Sequence, residues 1–216
     1  MVMIEKIKDN YNSWARQYDV NINPTRDLDK TVTIKILSKI HFSNVLELGC
    51  GTGKNTEWLI TKADSLVGLD FSKNMLDVAM GKVKSSKVTF IKANLNQEWP
   101  VDDNSFDLAT INLTLEHIEK LDHIFHSLSK KLNASGKCFV CDLHPKKQAA
   151  GSKAQFLENG IKKELDTYQH SEQDYIKNAE EAGFVLLSKK EWWDNKEDLP
   201  RLISFLFEKP KQPFLV

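Results

Sequence analysis

Gly49, Gly51 and Gly53 alternate with Cys50 and Thr52 directly after the stretch Val45-Leu46-Glu47-Leu48, and Lys54-Asn55 follows as the expected start of a helix. A strand that stops at a glycine turn and feeds a helix offers backbone N–H groups to a ligand. Glycine suits such a turn because a Cβ would block either the φ values or the ligand's close approach. An acid, Asp70, stands about 20 residues further on in Val67-Gly68-Leu69-Asp70-Phe71-Ser72, at the distance where a carboxylate accepts the hydroxyls of a ribose. The dinucleotide fingerprint G-x-G-x-x-G fits less well: Gly49 and Gly51 match, but its third position falls on Lys54, with Gly53 one residue early.

Residues of these types need a scaffold, and the chain supplies an alternating one. From residue 44 we expect strands near 44–48, 66–70, 88–92, 106–112 and 137–142, with helices near 54–63, 73–82 and 117–132. That order implies an α/β fold, a doubly wound and mostly parallel sheet with helices on both faces. Two amphipathic helices precede it, one carrying Ile4, Ile7, Tyr11, Trp14 and Tyr18, the next following Pro24 and Thr25 and facing inward with Leu28, Val32, Ile36, Leu37 and Ile40. Asn159-Gly160 between 155–158 and 161–165 predicts a hairpin. Ser171 with Asp174 predicts a capping box for a helix ending at Gly183. Phe184–Leu187 and Leu202–Phe207 read as closing strands, one of them antiparallel, with Trp192 to Asn195 and Pro200 in the loop between.

Bulk composition excludes several classes. With 30 basic and 30 acidic residues among 216, the net charge is zero, which gives no electrostatic case for nucleic acid or an anionic membrane surface. No apolar run approaches the roughly 18–20 residues of a membrane span, and the amino terminus lacks a signal-peptide core, so a cytoplasmic location is expected. Cys138 and Cys141 form a C-x-x-C within a strand, where positions three apart face opposite ways; they read as packing residues, not as metal ligands.

Glu47 and the glycine run resemble the first motif of class I S-adenosylmethionine (SAM) dependent methyltransferases, and the resemblance extends over about residues 44–142. It implies a Rossmann-like sheet and SAM as cofactor, with S-adenosylhomocysteine as product. The glycine amides would hold the methionyl carboxylate, and Glu47 would orient that loop. The implied cofactor residues are Glu47, Gly49, Cys50 and Gly51 after the first strand, Asp70, Phe71 and Met75 after the second, Asn94 and Leu95 after the third, and Asn112 and Leu113 after the fourth. Met75 packs either on the adenine or on the helix below. Family members usually carry aspartate where Asn94 stands; asparagine keeps the acceptor and loses the charge. Some quinone O-methyltransferases bind a divalent ion through two glutamates and a histidine in the segment matching Leu113-Thr114-Leu115-Glu116-His117; Leu113 replaces the first glutamate, so no metal is expected.

Methyl transfer is a displacement that the protein assists mainly by alignment and exclusion of water. The acceptor is expected to be a small molecule methylated on oxygen or nitrogen. His117 and His144 are the candidate bases, with His170 behind them. Tyr11, Trp14, Tyr18, Phe156 and Tyr168 lie outside the alternating core and either roof the site or pack helices onto the sheet. One domain over 1–216 is expected: a helical cap (1–43), the cofactor core (44–142), a hairpin lid (143–170) and closing elements (171–216). The other reading is a SAM-binding regulatory protein or complex subunit without turnover. Monomer and dimer are both open.

Overall fold

The computed structural model describes residues 2–158, 160–194 and 198–211. Two helices, α1 (Val2–Tyr18) and α2 (Pro24–Leu37), lead into the alternating part. That part runs β1 (Asn44–Leu48), α3 (Thr56–Leu59), β2 (Ser65–Asp70), α4 (Lys73–Lys82), β3 (Val88–Lys92), β4 (Phe106–Asn112), α5 (Leu121–Lys131) and β5 (Leu132–Leu143). A short α6 (Pro145–Ala149) and the hairpin β6 (Gln155–Glu158) and β7 (Ile161–Glu164) follow, then α7 (Glu172–Glu181), β8 (Val185–Trp192) and β9 (Leu202–Glu208).

Seven strands form one sheet in the order β3-β2-β1-β4-β5-β9-β8. Strands β1 to β5 pair in parallel, while β9 runs antiparallel to both β5 and β8. The chain leaves β1 in one direction along the sheet and returns on its other side at β4. A ligand crevice belongs at the carboxyl ends of those strands. Register brings the rim level: Leu48 pairs with Leu69 and with Ile111, so Gly49, Asp70 and Asn112 emerge side by side.

Each sheet face has its own core. Leu46 and Leu48 pack with Leu121, Phe125 and Leu128 of α5 and Tyr175 of α7, whereas Val45 packs with Val32 and Leu37 of α2 and Leu59 of α3. Cys138 joins the first cluster and Cys141 the second, both fully buried, as their spacing requires. A third cluster joins Ile7, Trp14 and Ala15 of α1 to Met75 of α4 and Phe156 of the hairpin.

Several boundaries move. The helix expected at 54–63 is a four-residue α3, because positive φ at Gly51 (53°) and Gly53 (75°) prolongs the turn, and Thr61 and Lys62 close with tight bonds to the carbonyls of Trp58 and Leu59. The helix expected at 117–132 begins at Leu121; residues 115–117 form a separate single turn whose entry is tied down by Asp142. Strand β5 starts at Leu132 and β8 runs on to Trp192, whose indole N–H donates to Ser204 Oγ at 2.8 Å, so Trp192 belongs to the sheet and not to the loop. The hairpin forms around Gly160 (φ 78°), and the capping box of Ser171 and Asp174 is present. Asn159 and Asn195 lie outside the described residues.

Candidate active site

The glycine turn is wound so that its amides face inward. Gly49 and Cys50 N–H both donate to Leu69 O, at 2.8 and 3.1 Å, and Gly53 N–H donates to Cys50 O at 2.8 Å. Asp70 Oδ2 accepts the Gly51 amide at 2.8 Å and its Oδ1 accepts Ser72 N–H at 2.8 Å. These four glycine-turn amides are therefore already bonded within the protein and do not await a carboxylate, contrary to expectation. What the glycines contribute is shape. A Cβ on Gly51 would meet nothing within 4 Å, because that face opens into the cleft, whereas one on Gly49 would stand 2.1 Å from Thr114 Oγ1.

The cleft has three connected parts. The largest, about 620 Å³ with its open mouth, is bordered by Gly49, Gly51, Asp70, Phe71, Met75, Asn94 and Leu95, and on the far side by Tyr11 and His117. Beside it a cavity of about 430 Å³ runs under the turn between Arg26, Asp29, Glu47, Asn55 and Asn112. A third, about 440 Å³, lies between Tyr11, Trp14, Glu116 and residues 152–154. Tyr18 and Leu113 border all three. Leu113 holds a left-handed φ of 49°, a strained value for a leucine, fixed by its N–H bond to Cys141 O.

Polar groups in the second cavity are half satisfied. Arg26 gives one terminal nitrogen to Tyr18 O and the other to Asn21 O at 2.9 Å, yet its buried Nε has no partner. Asn112 Nδ2 donates to Asp29 Oδ1 at 2.6 Å and Thr33 Oγ1 at 2.8 Å, yet its buried Oδ1 accepts nothing. One free donor and one free acceptor, deep in one cavity, match the carboxylate and ammonium of an α-amino acid.

Five buried carboxylates lie in or around this region: Asp29, Glu47, Asp70, Glu116 and Asp142. Burial pushes every one of them up, Glu47 to about 8, Glu116 to about 7 and Asp70 to about 6. Arg26 is the buried cation among them. A crevice so supplied with acids favours a cation and disfavours the pyrophosphate of a dinucleotide.

A methyltransferase-domain family model matches residues 46–140. A methyltransferase of Emericella nidulans, itself uncharacterized, is 28% identical over 220 aligned positions, covering 82% of this chain and 75% of that one. The demethylmenaquinone methyltransferase of Bacillus cereus is 29% identical over 147 positions, 62% of this chain and 60% of its own length. The chain thus spans about three fifths of such quinone-methylating relatives. In fold it matches the N-methyltransferase NodS of Bradyrhizobium japonicum, solved with S-adenosylhomocysteine: TM-score 0.73, 16% identity, 97% of this chain and 100% of that one. These matches support a class I S-adenosylmethionine-dependent methyltransferase, with its methyltransferase domain at residues 46–140.

Within this methyltransferase the expected residues sort clearly. Gly49, Gly51, Asp70, Phe71, Met75, Asn94, Leu95, Asn112 and Leu113 all border the main cleft. Met75, 1% exposed, borders the cleft and also packs in the α1 cluster. Asn94 Oδ1 accepts Asn96 N–H at 3.0 Å and so also closes its own turn. Cys50 turns its thiol inward, 3.0 Å from where a Cβ on Gly68 would lie, and Glu47 receives the Thr56 hydroxyl beneath the turn.

The histidines divide. His117 borders the cleft; its Nδ1–H donates to Asp166 O at 3.1 Å, which leaves Nε2 to accept the Tyr11 hydroxyl at 2.8 Å. Burial lowers its pKa to about 4, so the ring is neutral. His144 stands apart from the cleft. It is fully buried away from the three cavities, its Nδ1 capping α6 at Lys146 N–H and its Nε2 bonded to Glu191 at 3.0 Å. His170 is likewise structural, pinned to Ile118 O at 2.7 Å and edge-on to Tyr175.

Tyr11, Trp14 and Tyr18 do border the cavities. Phe156 instead stacks on Trp14 from behind, centroids 5.1 Å apart, and Tyr168 contributes its backbone, donating to Glu116 O at 2.7 Å. Sequence reasoning missed Arg26, Asp29 and Asp142. The first two sit on a helix that reads as packing alone. Asp142, whose carboxylate accepts the Thr114 and Leu115 amides at 3.0 and 3.2 Å, differs from a surface aspartate only once β4 and β5 are paired.

Proposed function

We propose that this protein transfers a methyl group from S-adenosylmethionine to the oxygen or nitrogen of a small molecule. The observation that carries this reading is the crevice of buried carboxylates beside glycines that leave room for a ligand. When bound, SAM supplies a methyl group already activated on a cationic sulfur. Arg26 Nε would hold its carboxylate, and Asn112 Oδ1 with Asp29 its ammonium. Asp70, each of whose oxygens keeps a lone pair beyond its amide bond, would accept the ribose hydroxyls. Phe71, Met75 and Leu95 would flank the base.

The junction of the three cavities, at Tyr18 and Leu113, would receive the sulfur. His117 holds the Tyr11 hydroxyl in place and so acts on the acceptor through it; α1 and the hairpin exclude water from above. Calorimetry with SAM tests the reading: Asp70→Ala should weaken binding by about tenfold or more, since two or more charge-assisted bonds are lost. Wild-type protein that ignores SAM at millimolar concentration sinks it.

A further inference from the structure

The third cavity carries chemistry of its own. Glu116 is 6% exposed and borders this cavity but neither of the other two. Its Oε2 is buried and accepts no hydrogen bond, and its Oε1 lies 3.8 Å from His117 Nε2, beyond hydrogen-bond reach. A buried carboxylate oxygen without a donor costs free energy unless something brings one. No cation among the described residues does so. Arg26 is committed to the carbonyls of Tyr18 and Asn21 and lies over the Trp14 and Tyr18 rings, and Lys153 is exposed at the rim. Tyr11, Trp14 and Tyr18 form the aromatic part of the wall, beside Arg26, Leu113 and Leu143, and such ring faces take an organic cation readily.

We infer that the third cavity is the acceptor site and that the acceptor is an amine, whose N–H is received by Glu116. The inference rests on the SAM reading for the reaction, not for the binding. An ammonium has no lone pair to offer, so it must first lose a proton. Glu116 takes that proton from R–NH₃⁺. The freed nitrogen pair forms the N–C bond to the methyl carbon as the C–S bond breaks, its electrons staying on sulfur as S-adenosylhomocysteine leaves. An alcohol would leave the carboxylate charge uncompensated, and an acid would be repelled.

The test is titration of a primary-amine series from methylamine to phenethylamine, with 2-phenylethanol and phenylacetate as isosteres, into protein saturated with S-adenosylhomocysteine. At least one amine should bind about tenfold or more tighter than its isosteres, and Glu116→Gln should remove that preference while S-adenosylhomocysteine affinity stays within about twofold. The wild-type selectivity stands as a readout even if the variant folds poorly. The inference is overturned if no amine binds, if the isosteres bind as well, or if folded Glu116→Gln keeps the preference. Should S-adenosylhomocysteine itself not bind, the cofactor reading fails, and the same series on unloaded protein still decides the acceptor class.

Discussion

On the sheet side of the cleft, Gly51 and Leu113 donate their amides to the Asp70 carboxylate at the end of β2 and to Cys141 O of β5, each on an adjacent parallel strand. On the opposite side, Tyr11, Trp14 and Phe156 are held by ring stacking between α1 and a two-stranded hairpin that joins no other sheet. Polar latches tie the second wall to the first: Thr52 Oγ1 donates to Asp19 at 2.7 Å, and Asn12 accepts Ser72 Oγ at 2.7 Å. The sheet wall is rigid because its geometry is set by a register that cannot slip without turning every side chain over. The cap wall depends on a small satellite core, which opens locally at lower cost. In the proposed reading, cofactor recognition falls on the fixed wall and acceptor entry on the wall able to move.

Substituting glycines is the strongest way to break that contrast. Gly49→Ala sets a Cβ against a stiff β-branched Thr114 at φ 70°, and we expect a loss of about 3 kcal/mol or more, read in denaturant unfolding. Gly51→Ala, at φ 53° with open space beyond, should cost only about 1 kcal/mol while reducing SAM affinity about tenfold, since its methyl enters the cleft. Equal effects at the two positions would mean that the turn is not divided between structure and ligand.

On the cap, Trp14→Ala removes a ring that is 2% exposed and stacked on both Tyr11 and Phe156. Such truncations cost about 3–5 kcal/mol when the whole fold shares the loss. Here hydrogen exchange should quicken in α1 and the hairpin while β1, β2 and β4 keep their protection. Exchange that rises uniformly would show the cap to be part of the main cooperative unit.

A smaller effect comes from pH, in which Glu47 and His117 should differ in sign. Glu47 titrates at about 8 in the fold, with burial as the cause, against about 4.3 in the unfolded chain, so its stabilising contribution is complete below about 4.3 and is lost as pH rises toward about 8. His117 falls to about 4 by burial from about 6.5, so its contribution is lost instead as pH falls across that window. Between about pH 6.5 and 8 Glu47 sets the slope, joined up to about 7 by Glu116, and the melting temperature of unliganded protein should drop. Glu47→Gln should flatten that slope, and bound SAM should reduce it; an unchanged slope in the variant would remove Glu47 from the account.

The sequence alone determined the alternating architecture, the glycine turn, the acid after the second strand and the level at which each strand ends. These are local signals: periodicity, turn chemistry and spacing that follow from backbone geometry within a few residues. It also placed the capping box at Ser171 and the opposed faces of Cys138 and Cys141. Tertiary structure decided the rest. His117 and His144 are equal as candidates on paper, each at the end of a parallel strand; only the packing of α1 on one and of β8 on the other made the first a cleft residue and the second a buried helix cap. Arg26 and Glu116 gained their meaning the same way. Whether a buried polar atom has a partner depends on groups far away in the chain, and that pairing is set by the fold as a whole.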